Sequence, residues 1–238
     1  MISTRRTAVL VGLLFLIATA TFLIADALIV GVLDGTNYLV DAPANATALT
    51  TGALLAFVDG LAIVGIAVLL YPLLKDHSEP LAHGYVGLRV AELAAILIYL
   101  ATPLLVVTVG DGLADGTVDQ SASQHLSSLF QAQHDVAIVM VYLFTSVAGL
   151  ILAYLLYRTR LIPRWIAILG VVGYPVLLIG TVLDMFDVID VTQGAGLLAV
   201  IPGGLFELIL PIWLLAKGFT TPDQDTAPTS VNPTGRTL

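Results

Sequence analysis

Ionisable side chains inside long apolar stretches are the residues of this sequence that could do chemistry. Arg89 and Glu92 stand three apart in Leu88-Arg-Val-Ala-Glu-Leu-Ala-Ala95, a spacing that puts both on one face of a helix. Glu207 interrupts the last apolar stretch, Asp59 the second, and His134 with Asp135 opens the fourth. Asp26 lies near the end of the first. A charge at membrane depth costs about 2.5–3.5 kcal/mol on insertion scales, so such groups face a bundle interior or a wet cavity. One Arg facing two acids leaves a surplus carboxylate able to hold a proton or bind a cation.

Counting along the helices from the basic ends of the stretches places Arg89 about 7 Å deep, Glu92 about 12 Å and Glu207 about 15 Å. These depths overlap, which allows an Arg89–Glu92–Glu207 cluster. A second tier is expected nearer the other side, built from Asp59, His134, Asp135 and Asp26. Tyr71, Tyr99, Tyr142 and Tyr174 add hydroxyls along the spans. Each feature also has a plainer reading. Arg89 with Glu92 or Glu207 can be an ion pair that fixes helix register. His134 can be a satisfied interfacial histidine, and Asp26 and Asp184 solvated charges at helix ends. The run Pro202-Gly203-Gly204 above Glu207 suggests a local helix break that frees carbonyls, as in discontinuous transporter helices, or a simple kink.

The elements that carry these residues follow from composition. In 238 residues, 58% are hydrophobic and 11% charged, against about 25% charge in soluble domains. The expected fold is all-α: a polytopic membrane protein, a bundle of six transmembrane helices at about residues 7–33, 51–74, 84–109, 134–157, 162–183 and 194–216. Together they make one domain over residues 1–218. The first stretch continues well past Ala20, which argues for a retained helix and against a cleaved signal peptide, whose apolar region runs about 7–15 residues. Ser121–His134 contains no helix breaker and is expected either to extend the fourth helix or to lie on the surface. Residues 219–238, with Pro222, Pro228 and Pro233 among polar residues, are expected to be a disordered cytoplasmic tail.

Lys and Arg mark one side. Arg5, Arg6, Lys75, Arg158, Arg160, Arg164 and Lys217 flank the spans on that side. The loops Asp34–Thr50, Gly110–Gln133 and Asp184–Gln193 hold acids and no Lys or Arg. Positive residues stay in the cytoplasm, so both termini are expected inside a multi-pass cell-membrane protein. The net charge of −8 argues against a nucleic-acid partner. Membrane lipids and a small-molecule or ion ligand are the partners expected. The many Asp and few Lys also suit a halophilic source.

Cysteine is absent, and no HExxH, GxSxG or phosphate-binding loop occurs. No cofactor is implied, and the four histidines have no metal-binding spacing. Any catalysis would rest on carboxylates and one histidine.

Five pieces of the chain occur together in order: Arg89-x-x-Glu92, Gln133-His-Asp135, Tyr157-Arg-Thr-Arg-Leu-Ile-Pro-Arg164, Phe206-Glu-Leu, and Ile212-Trp-Leu-Leu-Ala-Lys-Gly218. In this the sequence resembles, from about Arg6 to Gly218, a prokaryotic membrane family known only as a domain of unknown function, DUF4386. The resemblance implies that Arg89, Glu92, His134 and Glu207 are pattern residues of the family; it carries no activity. Three functions stay open: a protein that binds a small molecule, ion or lipid, with or without transporting it; a membrane enzyme acting on a lipid or isoprenoid; and a non-catalytic accessory subunit.

Overall fold

The structure is a computed structural model and describes residues 4–220. The tail expected from residue 219 lies, beyond residue 220, outside the described residues. Six α-helices follow one another: α1 (Thr4–Leu33), α2 (Tyr38–Lys75), α3 (Glu79–Ala114), α4 (Ser123–Thr159), α5 (Arg164–Asp184) and α6 (Ile201–Ala216). No strand occurs among the described residues. The first five helices are long and apolar enough to cross a membrane, and α6 is a shorter apolar helix. At 1.5 Å per residue, the 16 residues of α6 reach about 24 Å, short of a core of about 30 Å. The 3-10 segment Gly194–Ala199 leads into it through Val200. The break expected at Pro202-Gly203-Gly204 falls instead at Val200, between the 3-10 segment and α6. Pro202 sits in the first turn of α6, where its missing N–H has no intrahelical acceptor to lose.

Helices α2, α3 and α4 run well past the expected spans, to 38, 36 and 37 residues. Tyr38–Thr50, read from sequence as loop, is helix. Pro43 removes one donor there, but its neighbours Ala42, Ala44, Ala46 and Ala48 are strong helix formers. Ser121–His134 resolves as the outward start of α4, entered through a 3-10 turn at Gln120–Ala122. At the other end α3 starts at Glu79 rather than near Gly84. Ser78 stands at the N-cap in extended backbone and Pro80 in the first turn, a sequence pattern that starts helices.

Each helix packs on its neighbours in sequence, and α6 packs on both α5 and α1. The six therefore form a closed ring of alternating direction. Arg5 closes the seam: its guanidinium donates to the carbonyl of Leu215 (2.7 Å) at the end of α6 and to that of Leu214 (3.1 Å), which also accepts the Gly218 backbone N–H. Two apolar clusters fill the ring. One, towards the basic end, includes Phe15, Leu70, Tyr85, Leu152, Ile166 and Phe206. The other, towards the acidic end, includes Ile29, Leu49, Ile63, Ile96, Phe130 and Val141. Exposed Leu, Ile and Val such as Leu54, Val68, Ile179 and Ile212 cover the outside, the surface lipid solvates. The protein is thus an all-helical, multi-pass membrane bundle.

Candidate functional site

The turn Asp76–Ser78 joins α2 to α3 and gives both helices a common origin. Asp59 lies about 24 Å from that origin along α2, and Arg89 and Glu92 about 15 and 20 Å along α3. Asp59 is therefore level with Glu92. Packing agrees, because a β-carbon on the neighbouring Gly60 would overlap the Leu93 side chain and touch Ile96. Asp59 lies within electrostatic reach of Glu92, Glu207 and Arg89. His134, by contrast, senses Asp26, Asp135 and Asp34. The tier that was to hold Asp59 together with His134 is corrected accordingly. The error came from starting the third helix five residues late, which placed Glu92 and Arg89 too close to the basic end.

Arg89 and Glu92 form the expected pair. Arg89 Nη1 donates to Glu92 Oε2 at 2.7 Å, with the residues only 2% and 3% exposed. The second carboxylate oxygen, Oε1, accepts from the Thr145 hydroxyl of α4 at 2.6 Å. The guanidinium also lies 5.5 Å from the centre of the Tyr85 ring, one turn earlier on α3, a cation–π contact. Arg89 Nε and the Tyr85 hydroxyl are both buried without a hydrogen-bond partner. Both oxygens of Glu92 are thus engaged, while the donors around Arg89 are not exhausted.

Glu207 joins the group by a different contact. Its Oε1 accepts from the Tyr174 hydroxyl of α5 at 3.0 Å, and it lies within electrostatic reach of Arg89 without an ion pair to it. Tyr174 reaches that position because α4 carries Gly149 opposite it: a β-carbon there would overlap the phenol ring. Phe206 meets Tyr174 edge-on at 5.7 Å and fixes the ring from the α6 side. Glu207 is half-buried and Tyr174 fully buried.

Asp59 differs from both. It is 6% exposed, and no described group hydrogen-bonds to its carboxylate. Among the described residues Arg89 is the basic group within electrostatic reach of Asp59 and Glu207, and its ion pair is taken by Glu92. The inner tier therefore holds three acids against one base.

The outer tier joins α1, α3 and α4. The Tyr99 hydroxyl donates to Asp26 Oδ1 at 3.0 Å, so Asp26 is a half-buried partner rather than the solvated helix-end charge expected. The His134 ring lies 4.9 Å from that of Tyr99. His134 is 7% exposed, with Nδ1 buried and unpartnered. Asp135 points outward and is exposed. Asp184, also expected to be solvated, accepts the Val191 backbone N–H at 2.8 Å and anchors the loop before α6. No group of three or more His, Asp and Glu that could hold a metal ion occurs among the described residues.

Thr145 and the Tyr174–Glu207 and Tyr99–Asp26 bonds were not singled out from sequence. Tyr99 and Tyr174 stood among the span hydroxyls, but nothing in their own helices indicates which acid each meets. Surface recesses lie elsewhere, one along Arg5, Arg6, Val9 and Leu10 and another along Ala46, Thr47, Thr50 and Thr51.

Comparison with curated proteins finds no match, and comparison with solved structures finds none. The family model described as Domain of unknown function (DUF4386) matches residues 10–218, a stretch that contains all six helices' contributions to both tiers. The chain, with its interior polar tiers carried on those helices, belongs to that DUF4386 family.

Proposed function

We propose that the protein is a proton-exchanging membrane protein, and that its inner tier couples protonation to the binding, and passage across the bilayer, of a small molecule or ion. The observation that carries this reading is Asp59: a buried carboxylate with no hydrogen-bond partner, beside two further acids whose one basic neighbour is already paired. An isolated carboxylate is expensive as an anion in an apolar interior, so such a group holds a proton or meets a cation. Arg89 and Glu92 form the fixed part, and Asp59 and Glu207 the part that changes charge. With Lys and Arg gathered at one end, that end and both termini face the cytoplasm under the positive-inside rule.

Potentiometric titration of the purified protein tests the reading. Wild type takes up more protons than Asp59→Asn between acid and alkaline pH; superposable curves contradict it. Orientation is tested separately. Cysteine is absent from the chain, so Thr117→Cys and Ser78→Cys each add a unique thiol. An impermeant maleimide labels the first in intact cells and the second only after lysis.

A second reading, a structural role, is favoured for one part of the site. Glu92 is satisfied at both oxygens, as a register-fixing pair requires. A membrane enzyme using Asp59 with His134 has less support, since the two belong to different tiers.

A further inference from the structure

Distances along the helices place the polar groups of the ring on a ladder. Measured from the basic ends of their helices, Arg89, Tyr174 and Glu207 lie at about 15 Å, Glu92 and Thr145 at about 20 Å, and Asp59 at about 24 Å. Tyr142 follows at about 25 Å, Tyr99 at about 30 Å, Asp26 at about 33 Å and His134 at about 37 Å. Every helix contributes a member. The largest axial step between successive rungs is about 5 Å, close to one helical turn. Below Arg89 the next layer towards the basic end is mostly apolar, with Leu70, Leu74, Leu152, Leu156, Ile166 and Leu210 buried around the unpartnered Tyr85 hydroxyl.

We infer that protons reach Asp59 from the acidic end of the bundle, through Asp26 and Tyr99 with His134 at the mouth. This rests on the reading of Asp59 as a proton-exchanging group.

Three observations support the route independently of the acid count. Tyr99 is hydrogen-bonded to Asp26 and stands on the ladder between Asp26 and Asp59, within electrostatic reach of the latter. His134 Nδ1 is buried, unpartnered and set against the Tyr99 ring, an arrangement that leaves a proton-accepting or proton-donating nitrogen uncommitted beside it. Tyr142 of α4 lies on a rung between Asp59 and Tyr99, within electrostatic reach of both Asp26 and Glu207.

The charged and titratable groups facing the mouth are Asp26 of α1, Asp34 after it, Asp135 of α4 and Tyr99 of α3. Those facing Asp59 are Arg89 and Glu92 of α3 and Glu207 of α6. Transfer balances as a relay. A proton from water adds to the Asp26 carboxylate. The phenol turns its O–H away from the protonated Asp26 and gives that proton to an intervening water, which passes one of its own to Asp59, while Asp26 hands its proton to the Tyr99 oxygen. The phenol then turns back to donate to Asp26 again. One proton has left the water and one has joined Asp59, with Tyr99 and Asp26 unchanged.

Time-resolved infrared spectroscopy on oriented proteoliposomes tests this. The Asp59 band is identified as the protonated-carboxyl stretch that Asp59→Asn abolishes. A pH jump on the acidic-end side alters that band quickly in wild type, and roughly a hundredfold more slowly in Asp26→Asn and Tyr99→Phe. Asp26→Asn keeps an oxygen for Tyr99 to donate to, so it reads the route even where Tyr99→Phe folds poorly. A band that follows a jump on the basic-end side as fast, or is unaffected by Asp26→Asn, overturns the route and leaves the exchange reading intact. If no band that depends on Asp59 responds to a jump from either side, the exchange reading fails and the route with it.

Discussion

The Arg89–Glu92 pair and Asp59 share one level of one bundle and are held in opposite ways. Glu92 has a donor at each oxygen, Arg89 at one and Thr145 at the other. Asp59, on the adjacent helix, has none. Both are as buried as core leucines. A buried ion pair with its remaining lone pairs satisfied can repay the loss of hydration, whereas a lone carboxylate cannot. The contrast separates scaffold from working part within a single polar cluster: polar residues that fix a bundle are paired, and a buried polar residue left without a partner is the one to examine for function.

The contrast breaks most forcefully at Arg89. Replacing it by Met leaves Glu92 buried with no cation, and thermal unfolding in detergent should show a loss of about 3–5 kcal/mol. Changing Glu92 to Leu in the same chain should recover most of that loss, because removing both charges removes the desolvation penalty with the attraction. A double variant as unstable as the single one would mean that Arg89 acts through contacts other than Glu92, with Tyr85 the first to suspect.

A smaller loss follows from crowding Tyr174. Gly149→Ala sets a methyl where the phenol ring lies, and overpacking of this kind costs about 1–3 kcal/mol. It also pulls the Tyr174 hydroxyl from Glu207, so tyrosine ring modes should shift in the variant. An unshifted spectrum would mean that Tyr174 has room the packing does not show.

Thr145→Val removes one of the two donors on Glu92 while keeping the shape, for a loss of about 1–2 kcal/mol. Asp59→Asn should cost less than either, since it deletes no hydrogen bond and relieves a buried acid surplus. An Asp59→Asn variant less stable than Thr145→Val would mark Asp59 as structural.

The smallest effect lies in the loop between α3 and α4. The hydroxyl and backbone N–H of Thr117 hold the Asp115 carboxyl below the usual carboxylate range, and Ser121 does the same for Asp119. Both groups have a lowered folded value, so what they contribute is present at neutral pH and lost as pH falls through that value. Carbon-detected titration of the two carboxyls should give midpoints below the ordinary range for Asp; ordinary midpoints would mean that the turn is not formed in solution.

Much of this architecture is legible in the sequence, and the gaps have physical causes. Helix count, lipid-facing surface and the two oppositely charged ends follow from composition and from where Lys and Arg stand. Arg89 and Glu92 could be paired on paper because a spacing of three is a local rule. Asp59 reads as an outer-tier residue because its level relative to Glu92 depends on where a different helix begins, and the Ser78-Glu79-Pro80 start lies five residues before the apolar stretch that opens at Gly84. Asp26 reads as a solvated end charge until Tyr99, 73 residues away, is seen to donate to it. The bond from Tyr174 to Glu207 needs the absent side chain of Gly149 on a third helix. Such contacts are set by ring closure, and no window of sequence contains them.

The central claim, that Asp59 is a surplus acid which exchanges a proton while Glu92 is a fixed partner of Arg89, is tested most directly by an equilibrium infrared difference spectrum between acid and alkaline pH, with deuterium exchange to identify carboxyl bands. The account predicts a protonated-carboxyl band in wild type that persists in Glu207→Gln and vanishes in Asp59→Asn. A spectrum in which Asp59→Asn leaves every carboxyl band in place would contradict it.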